Sequence, residues 1–361
     1  MKRRIYIALA AVLAVLALSS CRRDLWVYTD EYRQVELYTD WSLCDDRPDG
    51  MTAWFISNDS DGRNRHVTTA DIEHTWLNLP RGLFTGIVFD WSPEEYPNQD
   101  FVGMQYPDMA KVQARPSTVQ PGYDEDLYGY EAVPDDMYIP VVDSTSMFLL
   151  SVTPDPMCVD TLQNVNIITG VEGDLVLWKD REEYEASLVT QTFYAEPQPV
   201  IWDLRISIAV KGLQYLHSIQ STMAGLSDGL MLADLHHSPD VCLHPLESWE
   251  GRHISDSLGV IFTTIHTFGL PERAMTRADY PIDENTHLRL NLRCLLRDEE
   301  TVLYFHFDFG PEAIVIEDDR LLLRIDVTVP ITLPYVDAKG SAGFDAVVSP
   351  WLPGGNADVT M

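Results

Sequence analysis

The stretch DLHHSPDVCLH, residues 234–244, concentrates Asp234, His236, His237, Asp240, Cys242 and His244. Carboxylate, imidazole and thiolate are all ligands of zinc or copper. Adjacent histidines point to opposite sides of an extended chain, however, and prolines break the stretch. It is therefore expected to be a solvated loop between domains, without bound metal. A second stretch, YDEDLYGYEAVPDDMY (123–138), interleaves carboxylates with tyrosines. Aromatic rings stack on sugar faces, and carboxylates hold hydroxyls or calcium. Tyr123, Asp124, Asp126, Tyr128 and Tyr130 are thus the candidate ligand-binding residues, set against the plainer reading of an acidic surface loop. The regular Asp spacing of a helix–loop–helix calcium site is missing. Asp308-Phe309-Gly310 matches a kinase tripeptide, but no Gly-rich loop or catalytic-loop signature accompanies it, so it is expected to close a strand. There is no G-x-S-x-G, H-E-x-x-H or phosphate-loop motif, and carboxylate pairs arise by chance among 56 Asp and Glu. With no nucleophile or metal constellation, the chain reads as a non-enzyme without a cofactor.

The N-terminus carries chemistry of another kind. Lys2, Arg3 and Arg4 precede an apolar run, Ile5 to Leu18, that is too short to span a bilayer comfortably. A basic start, an apolar run and small residues describe a signal peptide. Leu18-Ser19-Ser20-Cys21 resembles the lipobox of bacterial lipoproteins. The resemblance implies cleavage before Cys21, with lipid on its sulfur and acylation of the new amine. Two or more acyl chains hold a protein firmly to a membrane, whereas one holds it only marginally. Arg22, not Asp, follows the cysteine, which does not look like an inner-membrane retention signal.

Composition narrows the partners. The formal charge is −31, and removing residues 1–20 makes it three units more negative. So acidic a surface disfavours nucleic acid and anionic headgroups. Apolar content is normal for a globular core. Cys44, Cys158, Cys242 and Cys294 form no CxxC pair, so neither a zinc ribbon nor a thioredoxin-type site is supported. An exported chain can form one or two disulfides, and Cys294, in an apolar run, is equally well a buried free thiol. The spacing selects no connectivity.

The elements that position these residues are strands. Short β-rich runs separated by Gly, Pro, Asn and Asp recur, and long amphipathic helical patterns are scarce. Strands are expected over 33–41, 51–57, 65–80, 82–91, 147–154, 174–179, 201–213, 257–269, 287–298, 301–310, 320–334 and 343–351, with RDEE (297–300) as a hairpin turn. Leu204, Ile206, Ile208 and Val210 alternate onto one face. A short helix is expected after Gly212. No fixed-period repeat is visible, which argues against solenoids and propellers.

The order of these pieces resembles the fimbrillin-related lipoproteins of Bacteroidetes, nearest the branch related to fimbrial anchor proteins. The pieces are the lipobox, VELYTDW, LNLPRGLFTGIVF, RISIAVKGL, STMAGLSDG, HLRLNL, YFHFDF and the C-terminal GSAGFDAVVSPW. The resemblance implies an all-β chain of two tandem transthyretin-like β-sandwich domains. It also implies lipid-anchored display on the outer membrane through Cys21, and assembly with other fimbrial subunits by β-strand addition. The expected division is a signal peptide over 1–20, a lipidated linker over 21–32, an N-terminal sandwich over 33–235 and a C-terminal sandwich over 245–361. The expected function is that of an anchor or accessory subunit of adhesive fimbriae. The alternative is a surface glycan-binding lipoprotein of a nutrient uptake system. Arg63, Arg65 and Arg81 look exposed, but none can be named as a processing site.

Overall fold

The computed structural model describes residues 32–59, 62–118, 141–143, 147–167, 191–246, 248–273, 282–317, 320–337, 347–348 and 359–360. The strands of the first half are β1 (Tyr32–Thr39), β2 (Met51–Ser57), β3 (Arg65–Thr69), β4 (His74–Pro80), β5 (Gly82–Asp90), β6 (Gln99–Val102) and β7 (Lys111–Ala114). They continue with β8 (Pro116–Thr118), β9 (Val141–Asp143), β10 (Met147–Ser151), β11 (Cys158–Ile167), β12 (Gln191–Ala195) and β13 (Gln198–Pro199). Next come β14 (Trp202–Lys211), β15 (Leu216–Ser227), β16 (Gly229–Met231), β17 (His236–His237), β18 (Val241–Leu246) and β19 (Glu250–His253). The last are β20 (Leu258–Thr267), β21 (Leu288–Leu296), β22 (Val302–Phe309), β23 (Ile314–Glu317), β24 (Leu322–Thr332), β25 (Val347–Val348) and β26 (Val359–Thr360). The protein is all-β. The only helical elements among the described residues are three-residue 3₁₀ turns, and none is long and apolar enough to cross a membrane.

Alternation decides the layers of the first half. Sheet β12-β1-β4 lies over sheet β13-β11-β5-β2-β3. Val35 and Leu37 of β1 and Leu77 and Leu79 of β4 meet Met51, Ala53 and Phe55 of β2 and Phe84 and Val88 of β5. The opposite faces of the same two strands, Ile56, Ile87 and Phe89, meet Val112 and Leu230 of a third sheet, β17-β16-β7-β6. Strands β2 and β5 are therefore covered on both sides, which explains their near-continuous apolar runs MTAWFIS and GLFTGIVFD. The expected strand over 65–80 is two strands, β3 and β4, in different sheets.

In the second half, sheet β19-β20-β14-β24-β23 packs on sheet β18-β15-β21-β22. Leu204, Ile206, Ile208 and Val210 all enter the core between them, as their alternation requires. The segment after Gly212 makes one 3₁₀ turn, Leu213–Tyr215, and then runs into β15 rather than into a longer helix. Gly212 has φ +82°, and a Cβ there would stand 2.6 Å from the Leu333 carbonyl oxygen. Only glycine fits both the left-handed backbone and that approach. The RDEE turn closes the β21–β22 hairpin, with the Leu296 N–H donating to the Thr301 carbonyl at 2.9 Å.

Strands β14 and β15 fall within residues that the sequence places in an N-terminal domain, yet they are central strands of this second pair of sheets. The polar, proline-broken segment 234–253 reads as a linker. In the structure β17, β18 and β19 lie within it, and each pairs in a sheet.

Candidate functional site

The His/Cys segment is built into the junction instead of lying in solvent. His236 and His237 of β17 do point apart, the first half-buried and the second buried. His237 donates from Nδ1 to the Leu270 carbonyl at 2.7 Å. Burial pushes its pKa down to about 4. His244, fully buried on β18, donates from Nδ1 to the Ser151 carbonyl at 2.9 Å, and its Nε2 lies 3.1 Å from Cys242 Sγ. Its pKa is likewise lowered to about 4 by burial. Burial raises the Cys242 thiol, so thiol and neutral imidazole form the paired state. The expected solvated loop is corrected for His237, Cys242 and His244, which strand pairing buries and whose polar atoms meet carbonyls and each other. Asp234 and Asp240 are exposed and His236 is half-buried. Among the described residues, no group of three or more His, Cys, Asp or Glu is placed to hold a metal.

The other sequence candidates divide plainly. Cys21, Tyr123, Asp124, Asp126, Tyr128 and Tyr130 lie outside the described residues. Arg63 and Arg65 converge on Tyr32, donating to its hydroxyl at 3.2 and 2.6 Å, and the Arg65 guanidinium lies 4.9 Å from the ring centroid. The two cations lower the Tyr32 pKa. Asp308-Phe309-Gly310 ends β22 and enters a 3₁₀ turn, as expected. Cys44 is bonded to Cys158, while Cys242 and Cys294 are free and buried. The thiol of Cys294 is pushed up to about 12 by burial.

One sheet ends in a long strand with a half-covered apolar face. Strand β22 is an edge: it pairs antiparallel with β21, and no described strand lies on its other side. Its inward side chains Leu303, Phe305 and Phe307 lie opposite Cys294, Leu292 and Leu290. Those β21 residues are fully buried, but Leu303, Phe305 and Phe307 are only partly covered. The outer face is held in register by His306 Nδ1 to Asn291 Oδ1 at 2.8 Å and His287 Nδ1 to Asp308 Oδ1 at 2.9 Å. The facing sheet ends instead in β19 and β23, short strands of four residues each. This eight-residue edge runs in continuous register with β21, holds no proline or lysine, and has no described strand on its outer side. It is the kind of edge to which another strand can add. Sequence reading finds the strand from its alternation. It misses the edge, because period-two patterning reports faces and not lateral neighbours.

The chain is similar to several solved structures. A candidate adhesin from Bacteroides ovatus is 15% identical, with 83% of this chain and 94% of that chain covered and a TM-score of 0.48. The fimbrial anchor protein Mfa2 from Porphyromonas gingivalis is 12% identical, covering 83% and 90%, with a TM-score of 0.38. The tip fimbrial protein Mfa3 from the same organism is 10% identical, covering 79% and 83%, with a TM-score of 0.28. No curated protein matches the chain. The model of a family described as a domain of unknown function, DUF5119, matches residues 19–243. That match takes in well over half of the sequence, and the chain belongs to the DUF5119 family.

Proposed function

We propose that this protein is a non-enzymatic surface lipoprotein, held to the outer membrane through Cys21, that serves as an anchor or accessory subunit of adhesive fimbriae. The observation that carries the reading is the open edge of β22 with its half-covered Leu303, Phe305 and Phe307. A strand added beside β22 gains main-chain hydrogen bonds along the edge, and its inward side chains cover the exposed flanks of those three residues. The lipobox at Leu18 to Cys21 supports a membrane-tied end, leaving assembly to the folded part.

The test is an immunoblot of outer membranes from the native host, unboiled against boiled. Strand-exchanged assemblies survive mild detergent and collapse on boiling. The expected result is a high-mass ladder that collapses to one band, with Cys21→Ser leaving unprocessed precursor outside the ladder. A single monomer band in both lanes rejects the assembly role.

A further inference from the structure

The outer face of sheet β12-β1-β4 carries a cross-strand row of rings. Tyr38 of β1 lies opposite Tyr194 of β12 on one side and His74 of β4 on the other. The Tyr38 and His74 rings stack at 4.3 Å between centroids and 11° between planes. The Tyr38 and Tyr194 rings stack at 5.6 Å and 19°. Trp76, two residues along β4, lies 5.6 Å from His74 at 60°. The next rung holds Thr192, Glu36 and Trp76, and the third holds Gln34 and Asn78.

A row of this kind contributes to sheet stability through cross-strand packing. Stability does not require its ends to be bare, yet Tyr194 is 73% exposed and Trp76 48% exposed. Large aromatic surface is thus left in water on a rigid sheet, with the ring orientations already set by stacking. Such a surface loses little conformational entropy when something binds.

The chemistry of the face selects its occupant. Its outward positions are Tyr32, Gln34, Glu36, Tyr38, His74, Trp76, Asn78, Pro80, Thr192 and Tyr194. Pro80 is buried, and Arg63 and Arg65 reach only the Tyr32 end of β1, opposite to the end that carries the ring row. A partner protein with an apolar patch finds no aliphatic centre here to exclude water. A polyanion meets the Glu36 carboxylate and a chain of charge −31. A six-membered sugar ring fits both halves of the pattern. Its axial C–H groups carry partial positive charge and rest on the negative face of an aromatic ring. Its hydroxyls donate to carboxylate and amide oxygens and accept from hydroxyl and amide N–H groups. Glu36 is already held in place, its Oε2 3.4 Å from Thr192 Oγ1 and its Oε1 3.9 Å from His74 Nε2.

We propose that the outer face of β12-β1-β4 is a binding site for an uncharged pyranose polysaccharide. Tyr194 and Trp76 are its stacking surfaces, and Glu36, Thr192 and Asn78 are its hydroxyl-binding groups. This site is separate from the β22 edge and does not depend on strand addition. Its residues are not among the sequence candidates Tyr123, Asp124, Asp126, Tyr128 and Tyr130.

Affinity electrophoresis of the purified chain in native gels cast with dextran, mannan or xylan tests the site, with dextran sulfate as the anionic arm. The expected result is retardation by at least one neutral polysaccharide and none beyond the control with dextran sulfate. Tyr194→Ala and Trp76→Ala should each weaken retardation about tenfold. Tyr304→Ala, which removes an exposed ring on β22, should leave it unchanged. Losing one cross-strand ring contact should lower the melts of Tyr194→Ala and Trp76→Ala only slightly, so a cooperative melt well above the gel temperature separates lost binding from lost fold. No retardation in any neutral gel overturns the proposal. So does retardation that survives both substitutions, retardation by dextran sulfate alone, or sedimentation showing that the face instead joins two copies of the chain.

Discussion

The ammonium of Lys111 lies 2.8 Å from Asp228 Oδ2 and 3.4 Å from Asp240 Oδ2, and Lys111 is itself buried. Lys111 opens β7, while Asp228 sits between β15 and β16, so the pair ties the first half of the chain to the second. The backbone follows the same path: the Ala114 N–H donates to the Asp228 carbonyl at 2.8 Å, and the Asp228 N–H to the Asp240 carbonyl at 3.0 Å. Removing one member of such a pair leaves the other desolvated without compensation. Lys111→Met is expected to lower unfolding stability by about 3 kcal/mol, and Lys111→Met with Asp228→Asn to recover part of the loss. Urea melts of the single and double variants check this; an unchanged midpoint for Lys111→Met would show that the pair is too wet to matter.

His237 and His244 make the junction sensitive to acid. Each is held neutral by burial, with its pKa lowered to about 4. In the unfolded chain both titrate near the ordinary value of about 6.5. Between these limits the unfolded state binds more protons, so stability is full above about pH 6.5 and falls as pH drops toward 4. The loss reaches on the order of 3 kcal/mol per histidine at the lower limit. Replacing both with asparagine, which keeps a donor near the Nδ1 position, should flatten the melting temperature against pH across that window. A slope equal to the parent's would assign the acid sensitivity to other groups.

Cys44 and Cys158 lie 114 residues apart, with Cα atoms 6.4 Å apart. Their bond ties the segment after β1 to the start of β11. Closing so long a loop restrains the unfolded chain, and breaking it should cost about 2–5 kcal/mol. Alkylation of the denatured, unreduced Cys21→Ser protein is expected to label two thiols, those of Cys242 and Cys294. Four labelled thiols would rule the bond out.

The alternation of Leu204 to Val210 was readable because a strand buried on one face writes its orientation into consecutive residues. The runs MTAWFIS and GLFTGIVFD were readable as strands from short apolar stretches rich in β-formers, the mark of strands covered on both faces, although nothing in them announces a third sheet behind the second. The segment 234–244 shows where local reading fails. Proline and polar residues there look like a linker, because their hydrogen-bond partners, Ser151 and Leu270, are far away in sequence. The row Tyr194, Tyr38, His74 and Trp76 was invisible for the same reason, since it draws on three strands, one of them more than a hundred residues from the others.

By itself, then, the sequence determined the properties that need no neighbour: the net charge of −31 and the strand class of most of the chain, beside the expectation of a signal peptide over 1–20 ahead of Cys21. Lateral order was decided only in three dimensions. Which strand is an edge, which cysteines meet and which rings stack all depend on contacts between distant segments, and period-two patterning has no term for them.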